Sequence, residues 1–130
     1  MTEKKIKILI KADSRYPVNR KRLRRKVAAV LGSRGLAEDV EVSFSFVGNR
    51  KMKSLNSQYR GEEQTTDVLS FPLIDSSVSF PENETLRLGD VVISYPQARK
   101  QAQEHNRLVD EEIDRLAEHG VLSLLGIHEN

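Results

Sequence analysis

The stretch LVDEEIDRLAEHGVLSLL, residues 108–125, decides how this chain is read. Leu108, Val109, Ile113, Leu116, Ala117, Val121, Leu124 and Leu125 recur at three- and four-residue steps, and they spread over most of a helix circumference. A helix apolar on so many sides is expected at the centre of a fold, largely buried, rather than on its surface.

Working outward, the partners of that helix read as short strands and further helices. Ile6, Ile8 and Ile10 alternate with lysines, and Val40, Val42, Phe44 and Phe46 alternate with polar or small residues, each the period of a half-buried strand. Val68 to Phe71 reads as a third strand stopped by Pro72, and Val91 to Ile93 as a fourth entered through Gly89 and Asp90. Leu23, Val27, Val30 and Leu31 fall on one face of a helix that Gly32 ends, while Met52, Leu55 and Tyr59 line the inner face of another. Ser94 is placed to cap a third helix, with Pro96 in its first turn. Polar loops are expected over residues 60–66 and 75–85. The sum is an α+β domain, a sheet of about four strands packed with helices.

Composition bounds the function. The 130 residues fit one compact domain, with hydrophobic and charged fractions of 38% and 31% that belong to a folding, water-soluble chain. No apolar run reaches membrane-helix length and Met1 to Lys11 lacks the features of a signal peptide, so a cytoplasmic protein with no membrane partner is expected. With no cysteine, disulfides and thiolate ligands are excluded, and any metal must use histidine, carboxylate or water. Net charge of +2 hides a division: residues 1–60 carry 16 Lys/Arg against 5 Asp/Glu, residues 61–130 carry 5 against 14. Its sharpest feature is Arg20, Lys21, Arg22, Arg24, Arg25 and Lys26, which reads either as an RNA-binding cluster facing phosphates or as a solvated helix face paired with the acidic half.

The chemistry is concentrated in His119-Gly120-Val121-Leu122-Ser123-Leu124-Leu125-Gly126-Ile127-His128-Glu129-Asn130. This segment resembles the signature H-G-x-x-H-L-x-G-Y-D-H of the YbeY family, in which three histidines hold a metal ion, usually zinc. The spacing has a physical logic, since histidines four apart share a helix face and a glycine lets the chain turn back. Leu55-Asn56-Ser57-Gln58-Tyr59-Arg60 with Thr65-Thr66-Asp67-Val68-Leu69-Ser70-Phe71-Pro72 is similar to the family's N-x-x-x-R and T-D-V-L-S-F-P region. Leu88-Gly89-Asp90-Val91-Val92-Ile93-Ser94 is similar to its L-G-D-I-x-I-S strand. Three blocks in the family's order and spacing carry the resemblance.

The resemblance implies a zinc-dependent endoribonuclease, a hydrolase acting on single-stranded RNA in the 3′ maturation of small-subunit rRNA and in ribosome quality control. Its partners would be rRNA and the ribosomal small subunit, not DNA. The matched metal positions are His119, Ser123 and Glu129, with His128 as an alternative to Glu129, so only His119 keeps the family's residue and zinc occupancy is expected to be low. Arg60 is the expected phosphate-binding catalytic residue, since a guanidinium offsets charge developing on two oxygens. Asp67 reads either as a group orienting a ligand or as a cap. Family chains usually continue beyond this length, so truncation, substitution and divergence all stay open for the C-terminal departures of a single domain spanning 1–130. A metallopeptidase is disfavoured because Gly120 stands where the H-E-x-x-H motif needs its glutamate. The stronger rival is a non-catalytic RNA- or ribosome-binding relative, which Ser123 favours.

Overall fold

The computed structural model describes residues 5–35, 39–61, 66–73 and 85–127. Eight elements follow in the order β1 (Ile6–Ala12), α1 (Arg20–Ser33), β2 (Val40–Val47), α2 (Asn49–Arg60), β3 (Val68–Pro72), β4 (Leu86–Ser94), α3 (Tyr95–Glu104) and α4 (Val109–Leu124). The strands form one sheet in the order β1-β2-β4-β3, in which β1, β2 and β4 are parallel and β3 runs antiparallel to β4. The expected α+β architecture with four strands is the one found.

Alternation along the strands gives the sheet two apolar faces. Ile8, Val42, Phe44, Val68, Val91 and Ile93 point to one face, where α1, α3 and α4 cover them with Leu23, Val27, Ala98, Leu116, Val121 and their neighbours. Leu69 and Val92 point to the other, covered by Met52 and Leu55 of α2. Helix α4 is the central helix the sequence predicts: it buries Ile113, Leu116, Ala117, Gly120, Val121, Leu122 and Leu124. Asp110, Glu111 and Glu112 suit the positive end of its dipole, and the Glu111 carboxylate accepts from the Leu108 backbone N–H at 2.9 Å.

Two apolar positions depart from expectation. Leu108 is the residue before α4 and is 68% exposed, outside the core it was assigned to. Tyr59 does not line the inner face of α2; it is 60% exposed, one residue from the end of the helix, with Phe71 of the edge strand against its ring. Pro72 belongs to β3 rather than stopping it, which an edge strand tolerates since the missing N–H faces no ladder partner. The loop expected over 75–85 lies outside the described residues except at its last position, as do residues 62–65 of the loop after α2.

Candidate functional site

The three sequence blocks meet where α4 crosses β4 and β3. Gly120 lies so close to the sheet that a Cβ built on it would stand 2.5 Å from Val91 Cγ1. The Ser70 hydroxyl donates to the Gly120 carbonyl at 3.1 Å. Gly89, at φ +139°, forms the bulge where β2 and β4 shift register, and a side chain there would strike the Phe71 backbone and Leu124. The small residues of the motifs therefore exist to let one helix approach two strands.

Helix geometry then sorts the outward residues of α4. Asp114 faces α1, because its carboxylate accepts from Arg22 Nε at 2.9 Å and Nη2 at 2.7 Å. At about 100° per residue, His119 is turned about 140° from Asp114 and Ser123 about 180°. Both lie on the flank away from α1, the flank that carries Glu112. His119 is exposed and Ser123 half-buried. Among the described residues, His119 makes no hydrogen bond or ion pair.

Arg60 reaches the same region from the other side. It is the last residue of α2, exposed, and followed by Gly61 in the left-handed conformation that ends the helix. Tyr59 meets Phe71 of β3 edge to face with centroids 5.0 Å apart. Arg60 and His119 thus flank the edge strand β3 from opposite faces of the sheet and do not touch each other.

The basic cluster of α1 sits at the opposite edge. Arg20 donates to the Ile10 carbonyl at 2.7 Å and Arg24 to the Ile8 carbonyl at 3.4 Å, covering acceptors on the open side of β1. Arg22 is committed to Asp114, a hydrogen bond that raises its pKa further. Lys21, Arg25 and Lys26 remain exposed to solvent. Three strand spacings, roughly 14 Å, separate this edge from β3.

Asp67 takes a cap-like and a bridging role together. Its carboxylate accepts from the Val68 N–H at 2.8 Å and from Gln101 Nε2 at 3.1 Å, and Gln101 accepts in turn from Arg115 at 3.5 Å. Arg115 and Arg107 both bind Glu112, which is 0% exposed, with Arg115 Nη2 at 2.5 Å and Arg107 Nη1 at 3.1 Å. Burial presses the Glu112 carboxyl upward, but the hydrogen bonds from Arg115 and Arg107 outweigh it and hold it below the usual carboxylate range. This network ties α3, α4 and the start of β3 together. Sequence reading quoted Ser70 only as part of a family block and passed over Gln101, Arg107, Glu112 and Arg115; among these four, the three-residue step from Glu112 to Arg115 was the visible signal.

Tested as a zinc site, the described donors fall short. No group of three or more His, Asp or Glu is placed to hold a metal among the described residues. One turn beyond His119 stands a serine hydroxyl, a weak zinc donor beside imidazole. The other candidates, His128 and Glu129, lie outside the described residues.

A family sequence model described as Endoribonuclease YbeY matches residues 8–130. The chain belongs to the YbeY family. It is 43% identical over 104 residues to an Endoribonuclease YbeY of Alkaliphilus metalliredigens, covering 80% of this chain and 67% of that protein. It is 42% identical over 120 residues to the Endoribonuclease YbeY of an Anaeromyxobacter strain, covering 90% of this chain and 59% of that protein. Among solved structures, the solution structure of TM1509 from Thermotoga maritima superposes with a TM-score of 0.60 at 26% identity, covering 96% of this chain and 75% of that one. Within the quoted YbeY blocks, Ser70 of β3 and Val91 of β4 pack against Gly120 of α4, so part of the family's sequence signature lies in the packing of α4 on β3 and β4. Among the described residues no helix is long and apolar enough to cross a membrane.

Proposed function

We propose that this chain is a cytoplasmic endoribonuclease of the YbeY type that handles single-stranded RNA at the β3 edge, in the maturation of small-subunit rRNA. The observation that supports the reading is that Gly120, the neighbour of His119, packs on Ser70 and Val91 at one face of the sheet, while Tyr59, the neighbour of Arg60, meets Phe71 of β3. A phosphodiester lying along that edge would be met by the Arg60 guanidinium, which holds two phosphate oxygens and offsets charge as the P–O bond breaks. His119, exposed and without a hydrogen bond or ion pair among the described residues, is the second group we assign to RNA, as a proton acceptor or a metal ligand. Family resemblance implies zinc, which would activate water at such a site. The described donors do not fit zinc, so the role rests here on Arg60 and His119. Lys21, Arg25 and Lys26 supply longer-range attraction for RNA from the far edge.

Ser123 in the position of the family's second histidine favours a second reading, an RNA- or ribosome-binding relative that does not cut. A nuclease assay on rRNA fragments separates the two. Arg60→Ala should leave the melting temperature nearly unchanged and reduce RNA cleavage or, for a non-cutting protein, RNA binding. Lost stability with intact RNA handling would remove Arg60 from the site.

A further inference from the structure

We infer that α2 is the RNA track of this protein, with Tyr59 as a platform on which an unpaired base stacks beside Arg60. The inference rests on the RNA reading above and adds a surface that reading does not name. Arg50, Lys53, Ser57 and Arg60 follow one another at i, i+3, i+7 and i+10, so they form one stripe along a flank of the helix, about 15 Å from end to end. All four are exposed, and α2 contains no acidic residue. None of its cations makes an ion pair with a described residue, whereas Arg22 of α1 is neutralised by Asp114 of α4.

The placement also works against folding, which argues for an external partner. Arg50 and Lys51 occupy the first turn, where the helix dipole is positive and favours anions; no acidic residue offsets them there. A phosphate chain would offset both. At the other end, Tyr59 is 60% exposed beside Arg60. Among the described residues its aromatic partner is Phe71, which meets it edge to face at an interplanar angle of 68°, so Phe71 does not stack over the faces of the exposed ring. An exposed ring face at the end of a cationic stripe is the combination that binds single strands: phosphates follow the charges and an unpaired base stacks on the ring. A duplex keeps its bases stacked on one another and cannot use the ring, so Tyr59 would be a source of single-strand selectivity.

The test measures binding of a short fluorescein-labelled RNA single strand, and of the same sequence as a duplex, by anisotropy across a salt series. Tyr59→Leu should weaken single-strand binding roughly 5- to 150-fold, the range for one lost base stack, and leave duplex binding within about twofold. Tyr59→Phe, which keeps the ring, should stay within about twofold on both. Arg50→Gln with Lys53→Gln should lower the salt slope for the single strand by about 1.4, two phosphate contacts' worth. Cooperative melting of each variant shows that the fold is kept. Single-strand affinity of a folded Tyr59→Leu within about twofold of the unaltered chain overturns the stacking role. A salt slope reduced more by changing Lys21, Arg25 and Lys26 than by changing Arg50 and Lys53 overturns the track. If the unaltered chain binds no RNA, the nuclease reading falls and takes this inference with it; the other two outcomes leave that reading standing.

Discussion

Gly120 rests against Val91 with no room for a methyl group, since a Cβ on the glycine would stand 2.5 Å from Val91 Cγ1. A glycine inside a helix costs about 1 kcal/mol relative to alanine. Here the cost is offset by the depth at which α4 meets the sheet, and that depth brings the Gly120 carbonyl to the Ser70 hydroxyl at 3.1 Å. His119 is the preceding residue, so its distance from the β3 edge is fixed by the same contact.

Gly120→Ala should therefore destabilise the protein by about 1–3 kcal/mol, because overpacking against Val91 outweighs the gain in helix propensity. Val91→Ala in the same background should recover part of the loss by making room. Denaturant titration of the single and double variants checks both. A stabilised Gly120→Ala would mean that α4 shifts away from β4 at no cost.

The strands and the central helix were legible because their periods are local. Alternation from Ile6 to Ile10 and from Val40 to Phe46 survives in the observed burial, and apolar positions from Ile113 to Leu124 give α4 its central place. Tyr59 was misplaced because its spacing matched Met52 and Leu55, while its burial depends on tertiary neighbours that helix periodicity does not encode. Half of the α1 cluster was legible only as charge. That Arg20 and Arg24 reach the carbonyls of β1 follows from β1 lying at a sheet edge, which no local pattern encodes.

Those two arginines divide the α1 cluster into experiments with opposite outcomes. Arg20→Gln with Arg24→Gln uncovers the open edge of β1 and should promote concentration-dependent aggregation while leaving the RNA salt slope in place. Changing Lys21, Arg25 and Lys26 to Gln should leave aggregation unaltered and reduce the salt slope by less than about 0.7, under one full phosphate contact. Light scattering and salt-dependent anisotropy read the two effects. An aggregation-free Arg20/Arg24 variant would show that the edge is protected by other means.

Glu112 gives the fold an acid limit. Its folded-state pKa lies below the ordinary value of 4.5, so its stabilising contribution is present above that value and is lost as pH falls through the folded-state value. Glu112→Gln should cost about 1–3 kcal/mol at neutral pH, toward the lower end because both arginine partners are half exposed. The stability gap between the two proteins should narrow as pH falls below the ordinary carboxylate value of 4.5, and denaturant midpoints measured from neutral to acid pH follow it. A gap independent of pH would place the loss in packing rather than in the carboxylate's charge.

Zinc binding turns on Ser123. In α4, Ser123 follows His119 by four residues, so the two lie one turn apart on the flank away from Asp114, and a histidine at 123 would bring a second imidazole beside the first. The described donors as they stand number one imidazole and one hydroxyl, and that pair holds zinc weakly. Ser123 is half-buried at the helix margin, which leaves a larger side chain a path to solvent. Ser123→His should therefore raise retained zinc from well below one ion per chain toward one ion per chain, with any third ligand drawn from Glu129 or His128. Mass spectrometry after dialysis measures the metal, and repeating it with Glu129→Gln and His128→Ala in the Ser123→His background identifies the third donor, since only its loss should release the ion. Stoichiometric, chelator-resistant zinc in the protein with Ser123 intact would sink this account, because it would require a donor set that does not depend on position 123.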